Sequence, residues 1–347
     1  MSVEKILIIG PSWVGDMVLA HSLFQSLKAQ NPNVIIDVAA PAWTLPLLAR
    51  MPEINEAIAL PFKHGQLALL ERIRFGRSLK NKGYQQAILL VNSLKSAILP
   101  LAAGIPLRTG FLGEFRHGLL NDIRPLDKTK LPRTVDRFVA LGCDKNNLDK
   151  NNSLDVQKIA NPRLIADTSN AMRVLDKNGR QRPAQKILGL CPGAEYGEAK
   201  RWPAEYYAEV ANAALENGWQ VWLFGSDKDT PVTAAINDLT QNRCLDWGGK
   251  TNLGEAIDLM SLCDTVISND SGLMHVAAAL EKKVIAIFGS SDPYHTPPMH
   301  PDAVIEYLAL DCSPCFSRTC RFNDAEQHLA CLRNITPQVI SLHLMNL

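Results

Sequence analysis

The sequence predicts an α/β protein made of two parallel-sheet domains. Three observations carry that expectation. At 347 residues the chain is longer than one comfortable domain. Short β-rich apolar runs alternate with helix-length amphipathic stretches, the signature of βαβ units. The alternation loosens into a polar connection over residues 144–185 and then starts again.

In the first half the strands read KILIIG (5–10), VIIDVAA (34–40), AIAL (57–60) and QAILLV (86–91), with helical segments between them. After the connection the strands are KILGLCPG (186–193), WQVWLFGS (219–226), TVISND (265–270) and KVIAIFGS (283–290). Residues 202–217 and 252–263 read as helices on the second sheet, and 336–347 as a C-terminal helix. The expected organisation is an N-terminal domain over 1–175, a C-terminal domain over 186–335 and the final helix over 336–347. Two such sheets facing each other would place a cleft between the domains. In open parallel sheets ligands bind beyond the carboxyl ends of strands, so the turns that follow these runs are where chemistry is sought.

Composition is that of a globular protein, with 46% apolar and 20% charged residues. No segment reaches the ~20 uninterrupted apolar residues of a membrane helix, and the apolar stretch at 97–107 carries two prolines. The chain opens MSVEKILIIG, without a basic n-region or a long apolar h-region, which predicts a cytoplasmic protein with its eight cysteines reduced. Formal net charge is +1, yet residues 1–150 hold 19 Lys+Arg against 12 Asp+Glu, and the remainder 17 against 23. The basic half is therefore expected to meet something anionic. The run ERIRFGRSLKNK concentrates the charge, setting Arg72, Arg74, Arg77, Lys80 and Lys82 against Glu71 alone, and it reads either as a solvated helix face or as a docking surface.

Four constellations stand out. GPSWVGD, Gly10 to Asp16, joins a strand to a helix as a phosphate loop would, but Asp16 stands where the lysine belongs. A carboxylate there would repel phosphate. A helix N-terminus favours its ionised form, which suits either a base that takes a proton from a hydroxyl or a plain cap. CPGAEYGEAKRWP, Cys191 to Pro203, brings Lys200 and Arg201 to a strand end beside a helix start marked by Pro203, a place where a leaving diphosphate could be stabilised. NDSGLMH, Asn269 to His275, combines the capping residues Asp270 and Ser271 with Gly272 and with His275 one turn on. The fourth is a group of cysteines, Cys312, Cys315, Cys320 and Cys331, compatible with a structural zinc or with reduced thiols. The G-x-G-x-x-G fingerprint is missing after the first strand, which disfavours a nicotinamide oxidoreductase.

Taken together and in order, GPSWVGDM, HGLLND at 117–122, CPGAEYGEAKRWP and NDSGLMHVAAAL resemble the ADP-heptose:lipopolysaccharide heptosyltransferases of glycosyltransferase family 9 across essentially the whole chain. The resemblance implies a GT-B fold of two Rossmann-like parallel-sheet domains facing across a cleft, with the acceptor on the N-terminal domain and ADP-heptose on the C-terminal one. It implies an inverting transferase that needs no catalytic metal, with Asp16 as general base and Lys200 at the donor diphosphate. Asp270, Ser271, Gly272 and His275 match the motif that holds the donor's sugar and phosphates. The turns Gly193–Ala194–Glu195 and Gly225–Ser226 match contacts to ADP. The implied acceptor is heptosylated Kdo2-lipid A at the cytoplasmic face of the inner membrane, with Arg72, Arg74 and Arg77 as candidate contacts and no nucleic acid as partner. Other sugar transferases of the same family, and a non-catalytic nucleotide-sugar-binding protein, are the alternatives. The last of these would not require Asp16.

Overall fold

The computed structural model describes residues 4–62, 65–143 and 159–345. It divides into two compact units, residues 1–162 and 163–347.

The first unit holds a six-stranded parallel sheet of β1 (Lys5–Ile9), β2 (Ile35–Pro41), β3 (Ile54–Leu60), β4 (Gln86–Leu89), β5 (Leu107–Phe111) and β6 (Asp122–Arg124), in the order β3-β2-β1-β4-β5-β6. Ile6, Leu7, Ile8 and Ile9 are all buried. Successive side chains of one strand point to opposite faces, so burial of all four means that both faces of the sheet are covered. A buried carboxylate ties the sheet together: Asp37 on β2 accepts from the Tyr84 hydroxyl at 2.7 Å and the Asn55 amide at 2.8 Å, and pairs with the Lys5 ammonium at 3.1 Å. One residue thus links β2 to β1, to β3 and to the approach to β4.

The second unit repeats the plan with β7 (Ile187–Cys191), β8 (Gln220–Leu223), β9 (Leu245–Asp246), β10 (Thr265–Asn269), β11 (Lys283–Ile287) and β12 (Val304–Glu306), in the order β12-β11-β10-β7-β8-β9. All strand pairs are parallel in both sheets. In each sheet the order reverses beside the unit's first strand, between β1 and β4 and between β7 and β10. Such a switch point opens a crevice, because the connections on its two sides leave in opposite directions.

Two expectations shift. The polar connection at 144–185 lies partly on 144–158, outside the described residues, and its remainder contains the helix Thr168–Lys177. That helix, mostly assigned from sequence to the 1–175 domain, is built into the second unit. Its Asp167 cap accepts from Asn170 N–H, while the buried Asp258 accepts from the Asp167 N–H at 2.8 Å and the Asn170 amide at 2.7 Å. Leu164 N–H also donates to Ala279 C=O. The other shift adds strands: β5, β6, β9 and β12 were not expected.

In the first unit the helices Leu69–Ser78 and Leu94–Ala102 pack at Gly76, where a Cβ would lie 2.5 Å from Leu99 C=O and 2.8 Å from the Ala102 Cβ. Replacing a helical glycine by alanine ordinarily gains about 1 kcal/mol. Here the order is expected to reverse, with Gly76→Ala losing about 1–3 kcal/mol through overpacking. Urea unfolding of the two proteins measures it, and equal or higher stability of the variant would mean that the helices separate without cost.

Candidate functional site

The two motifs of the C-terminal unit meet at its switch point. CPGAEYGEAKRWP leaves β7 and NDSGLMH leaves β10, adjacent parallel strands with Leu188 beside Thr265 and Cys191 beside Ser268. Asn269, fully buried at the end of β10, staples the two. Its amide donates to Pro192 C=O at 2.6 Å, and its Oδ1 accepts from the Trp202 N–H and the Tyr207 hydroxyl, both at 3.0 Å. Trp202 is buried edge-on against Tyr206 and Tyr207, with its indole N–H on Ile335 C=O. The chain between Pro192 and Trp202 is therefore held at both ends.

Lys200 lies within that stretch, on the single 3-10 turn Glu198–Lys200; the following helix, Ala204–Glu216, starts after Pro203. The Lys200 ammonium forms an ion pair with Asp270, whose same oxygen accepts from the Ser291 hydroxyl. Tyr196 lies beneath the ammonium, 5.1 Å from ring centre to Nζ. Ser271 holds the N-cap position of the helix Gly272–Ala279 without a side-chain cap bond, its hydroxyl 3.3 Å from that of Ser268. His275 is buried one turn on, and its Nδ1 has no hydrogen-bond partner. Burial, the leading cause, pushes its pKa down to about 4; Asp270 acts upward and Lys200 downward. The imidazole is thus neutral at physiological pH.

The two glycine turns also converge. A Cβ on Gly193 would lie 2.3 Å from the Asp229 carboxyl carbon, and one on Gly225 2.7 Å from the Asp229 Cβ. Asp229 in turn accepts from the Ser226 N–H at 2.9 Å and its hydroxyl at 2.7 Å, so both turns close around one carboxylate. Ala194 is buried beside them and receives a bond at its C=O from Arg201, whereas Glu195 is exposed and paired with Lys228.

In the N-terminal unit, Asp16 is half-buried in the first turn of the helix Val14–Gln30, immediately past β1 and at the switch point with β4. The three arginines separate. Arg74 and Arg77 are exposed on the helix Leu69–Ser78. Arg72 is buried, donating from Nε to Leu67 C=O at 2.7 Å and from Nη2 to Gln66 C=O, with its guanidinium 4.4 Å from the centre of the Phe62 ring. It braces the loop ahead of the helix instead of joining a charged face.

The four cysteines gather, and of the two alternatives open to them the structural zinc is without support: among the described residues, no group of three or more His, Cys, Asp or Glu side chains is placed to hold a metal ion. Cys312, Cys315, Cys320 and Cys331 line one small pocket with Ser290 and Phe322. Burial and the three neighbouring thiols push the Cys331 thiol up to about 11. The segment they flank abuts the Lys200 stretch, with Ala199 N–H on Arg318 C=O and the Tyr196 hydroxyl on Phe316 C=O.

The family model for glycosyltransferase family 9 (heptosyltransferase) matches residues 72–326. The chain is 45% identical to lipopolysaccharide heptosyltransferase 2 of Salmonella typhimurium over 99% of its length and 98% of the relative's. The chain belongs to glycosyltransferase family 9. To lipooligosaccharide heptosyltransferase 2 of Haemophilus influenzae it is 47% identical, covering 87% and 88% of the two chains. The structure of Escherichia coli ADP-heptose LPS heptosyltransferase II superposes with a TM-score of 0.85 at 42% identity, over 99% of this chain and 98% of that one. The protein is thus a glycosyltransferase with the two Rossmann-like units of the GT-B class.

Sequence reasoning left two positioning residues of this glycosyltransferase unassigned. Asn269 sits inside a motif it singled out, but its partners Pro192, Trp202 and Tyr207 lie more than 60 residues away. Arg116, fully buried just upstream of HGLLND, donates to Val91 C=O, the Ser96 hydroxyl and the Asn92 side chain, and so holds the carboxyl end of β4. A charged residue within a mixed loop carries no periodic signal that could have marked it.

The neutral His275 makes stability depend on pH. An unfolded histidine titrates near 6.5, so as pH falls below that value the unfolded chain takes up the proton first. The contribution is complete above about 6.5 and is lost progressively down to about 4. His275→Gln is expected to flatten this part of the curve, by up to roughly 3 kcal/mol across the window. Urea midpoints between pH 7 and 4.5 measure it, and an unchanged slope in the variant would assign the dependence to other groups.

Proposed function

We propose that this glycosyltransferase is a heptosyltransferase II, moving a heptose from ADP-L-glycero-D-manno-heptose to the heptose of the lipopolysaccharide inner core with inversion at the anomeric carbon. The meeting of Lys200 and Asp270 at the β7/β10 switch point carries the reading: a fixed cation, an adjoining helix N-terminus and turns narrowed by Gly193 and Gly225 fit a nucleoside-diphosphate sugar. Near-full-length likeness to heptosyltransferases 2 supports the choice of sugar and acceptor.

In this reading the second unit takes ADP-heptose through Gly193, Ala194, Glu195, Gly225, Ser226, Asp270, Ser271, Gly272 and His275. The first takes heptosylated Kdo2-lipid A, with Arg74 and Arg77 toward its acidic groups at the membrane surface and Arg72 steadying the loop before them. Asp16, in the first turn of its helix, accepts the proton of an acceptor hydroxyl. The hydroxyl oxygen bonds to the anomeric carbon as the bond to ADP breaks, and ADP leaves with the electron pair. Lys200, oriented by Asp270, meets the charge that grows on the diphosphate. No divalent cation is assigned a role.

Asp16→Asn keeps the size of the side chain and removes the base. Transfer is expected to fall by about 10²–10⁴-fold, with ADP-heptose affinity and circular dichroism unchanged. Near-normal transfer, read as heptose mass added to truncated core, would reduce Asp16 to an acidic residue of the helix's first turn.

For Lys200→Ala, kcat/KM for ADP-heptose is expected to drop roughly 10²-fold with kcat falling too, because the lost interaction grows toward the transition state. The unmodified enzyme is expected to keep its turnover in EDTA. Loss of activity in EDTA that magnesium restores would move the charge-stabilising role from Lys200 to a metal.

A further inference from the structure

We propose that Trp13 and Trp43 form a stacking platform beside Asp16 for the pyranose ring of the acceptor sugar. The proposal rests on Asp16 being the base of the transfer reaction, and it assigns the acceptor's sugar ring a subsite distinct from the arginines that face its acidic groups.

Three of the six tryptophans, Trp202, Trp222 and Trp247, are each at most 1% exposed. Trp13 and Trp43 are 45% and 49% exposed, which leaves apolar ring surface in water. They follow the carboxyl ends of adjacent paired strands, β1 and β2, at the edge where parallel sheets bind ligands. Trp13 is the N-cap residue of the helix Val14–Gln30, with Met17 N–H on its C=O at 2.9 Å, so Asp16 stands three positions on and lies on the neighbouring surface of the same turn. The Trp43 indole N–H donates to Ser12 C=O at 3.2 Å, tying that ring to the loop that carries Trp13 and Asp16. With its one polar group taken, Trp43 offers a ring face and nothing else.

A ring face is what a pyranose requires. Sugars in the chair form present a patch of C–H bonds carrying slight positive charge, and the face of an indole carries the opposite sign. Stacking fixes the ring's plane while its hydroxyls stay free. A general base needs that arrangement, since one hydroxyl must come within hydrogen-bond reach of its carboxylate.

The test uses the full-length enzyme with heptosylated core acceptors, intact and chemically deacylated, and the variants Trp13→Ala, Trp13→Phe, Trp43→Ala and Trp43→Phe. The alanine variants are expected to raise the acceptor KM by roughly tenfold or more, the scale for removing a tryptophan at the centre of a contact. That rise should be equal for both acceptors, leave the KM for ADP-heptose unchanged and be mostly recovered by phenylalanine. In the unmodified enzyme, the deacylated acceptor should shield tryptophan fluorescence from acrylamide, a readout that needs no variant to fold. Unchanged acceptor KM in both alanine variants, with transfer intact, would overturn the platform and leave the proposed function standing. A rise confined to the acylated acceptor would also overturn it, assigning the rings to lipid. No transfer by the unmodified enzyme to either acceptor would instead overturn the function on which the platform rests.

Discussion

The side chain of Asn269 is the constraint on which the candidate site of the second unit depends. It is fully buried and spends its donor on Pro192 and its acceptor on Trp202 and Tyr207. A buried amide left unpaired costs about 1–3 kcal/mol, so the loop after β7, the start of the helix Ala204–Glu216 and the end of β10 are bound to one geometry. Lys200 lies between two of these anchors and Asp270 is the next residue after Asn269. Their ion pair is a consequence of that geometry as much as of charge. A lysine on a free loop would sample many positions, whereas here the loop ends are fixed and the cation is delivered to the switch point.

The same logic explains how this Rossmann-like sheet brings positive charge to its switch point without the glycine fingerprint. That fingerprint lets backbone N–H groups approach a pyrophosphate closely. In this chain Gly193 and Gly225 make room for the Asp229 carboxylate, and the positive charge is brought by a side chain, Lys200. The cysteine-flanked segment contributes from outside through Phe316 and Arg318, which receive hydrogen bonds from Tyr196 and Ala199. Its thiols thus line a pocket next to a brace of the Lys200 loop.

Charge in the first unit divides between scaffold and surface. Arg72 and Arg116 are both buried and spend their donors chiefly on backbone carbonyls at loop turns, while Arg74 and Arg77 remain in solvent. A net excess of basic residues counts all four alike. Only the exposed pair contributes fully to long-range attraction of anions, because an approaching anion can reach it.

The sequence by itself determined the architecture and the places where chemistry gathers. β1, β2, β4, β7, β8, β10 and β11 were legible because a strand covered on both faces is written as a continuous apolar run, and most of these end in glycine, proline or serine. Asp16, Lys200 and Asp270 were legible as candidates because they stand on turns after such runs. β5, β6, β9 and β12 were not, since short strands toward the sheet edges are partly exposed and need no apolar run. What only the tertiary structure decided is pairing across distance: Lys200 with Asp270, Asn269 with its three partners, Arg72 with Phe62, and the helix Thr168–Lys177 with Asp258. Those contacts depend on strand order and on the direction each side chain takes from its backbone. Neither is encoded within the few neighbouring residues that a sequence pattern samples.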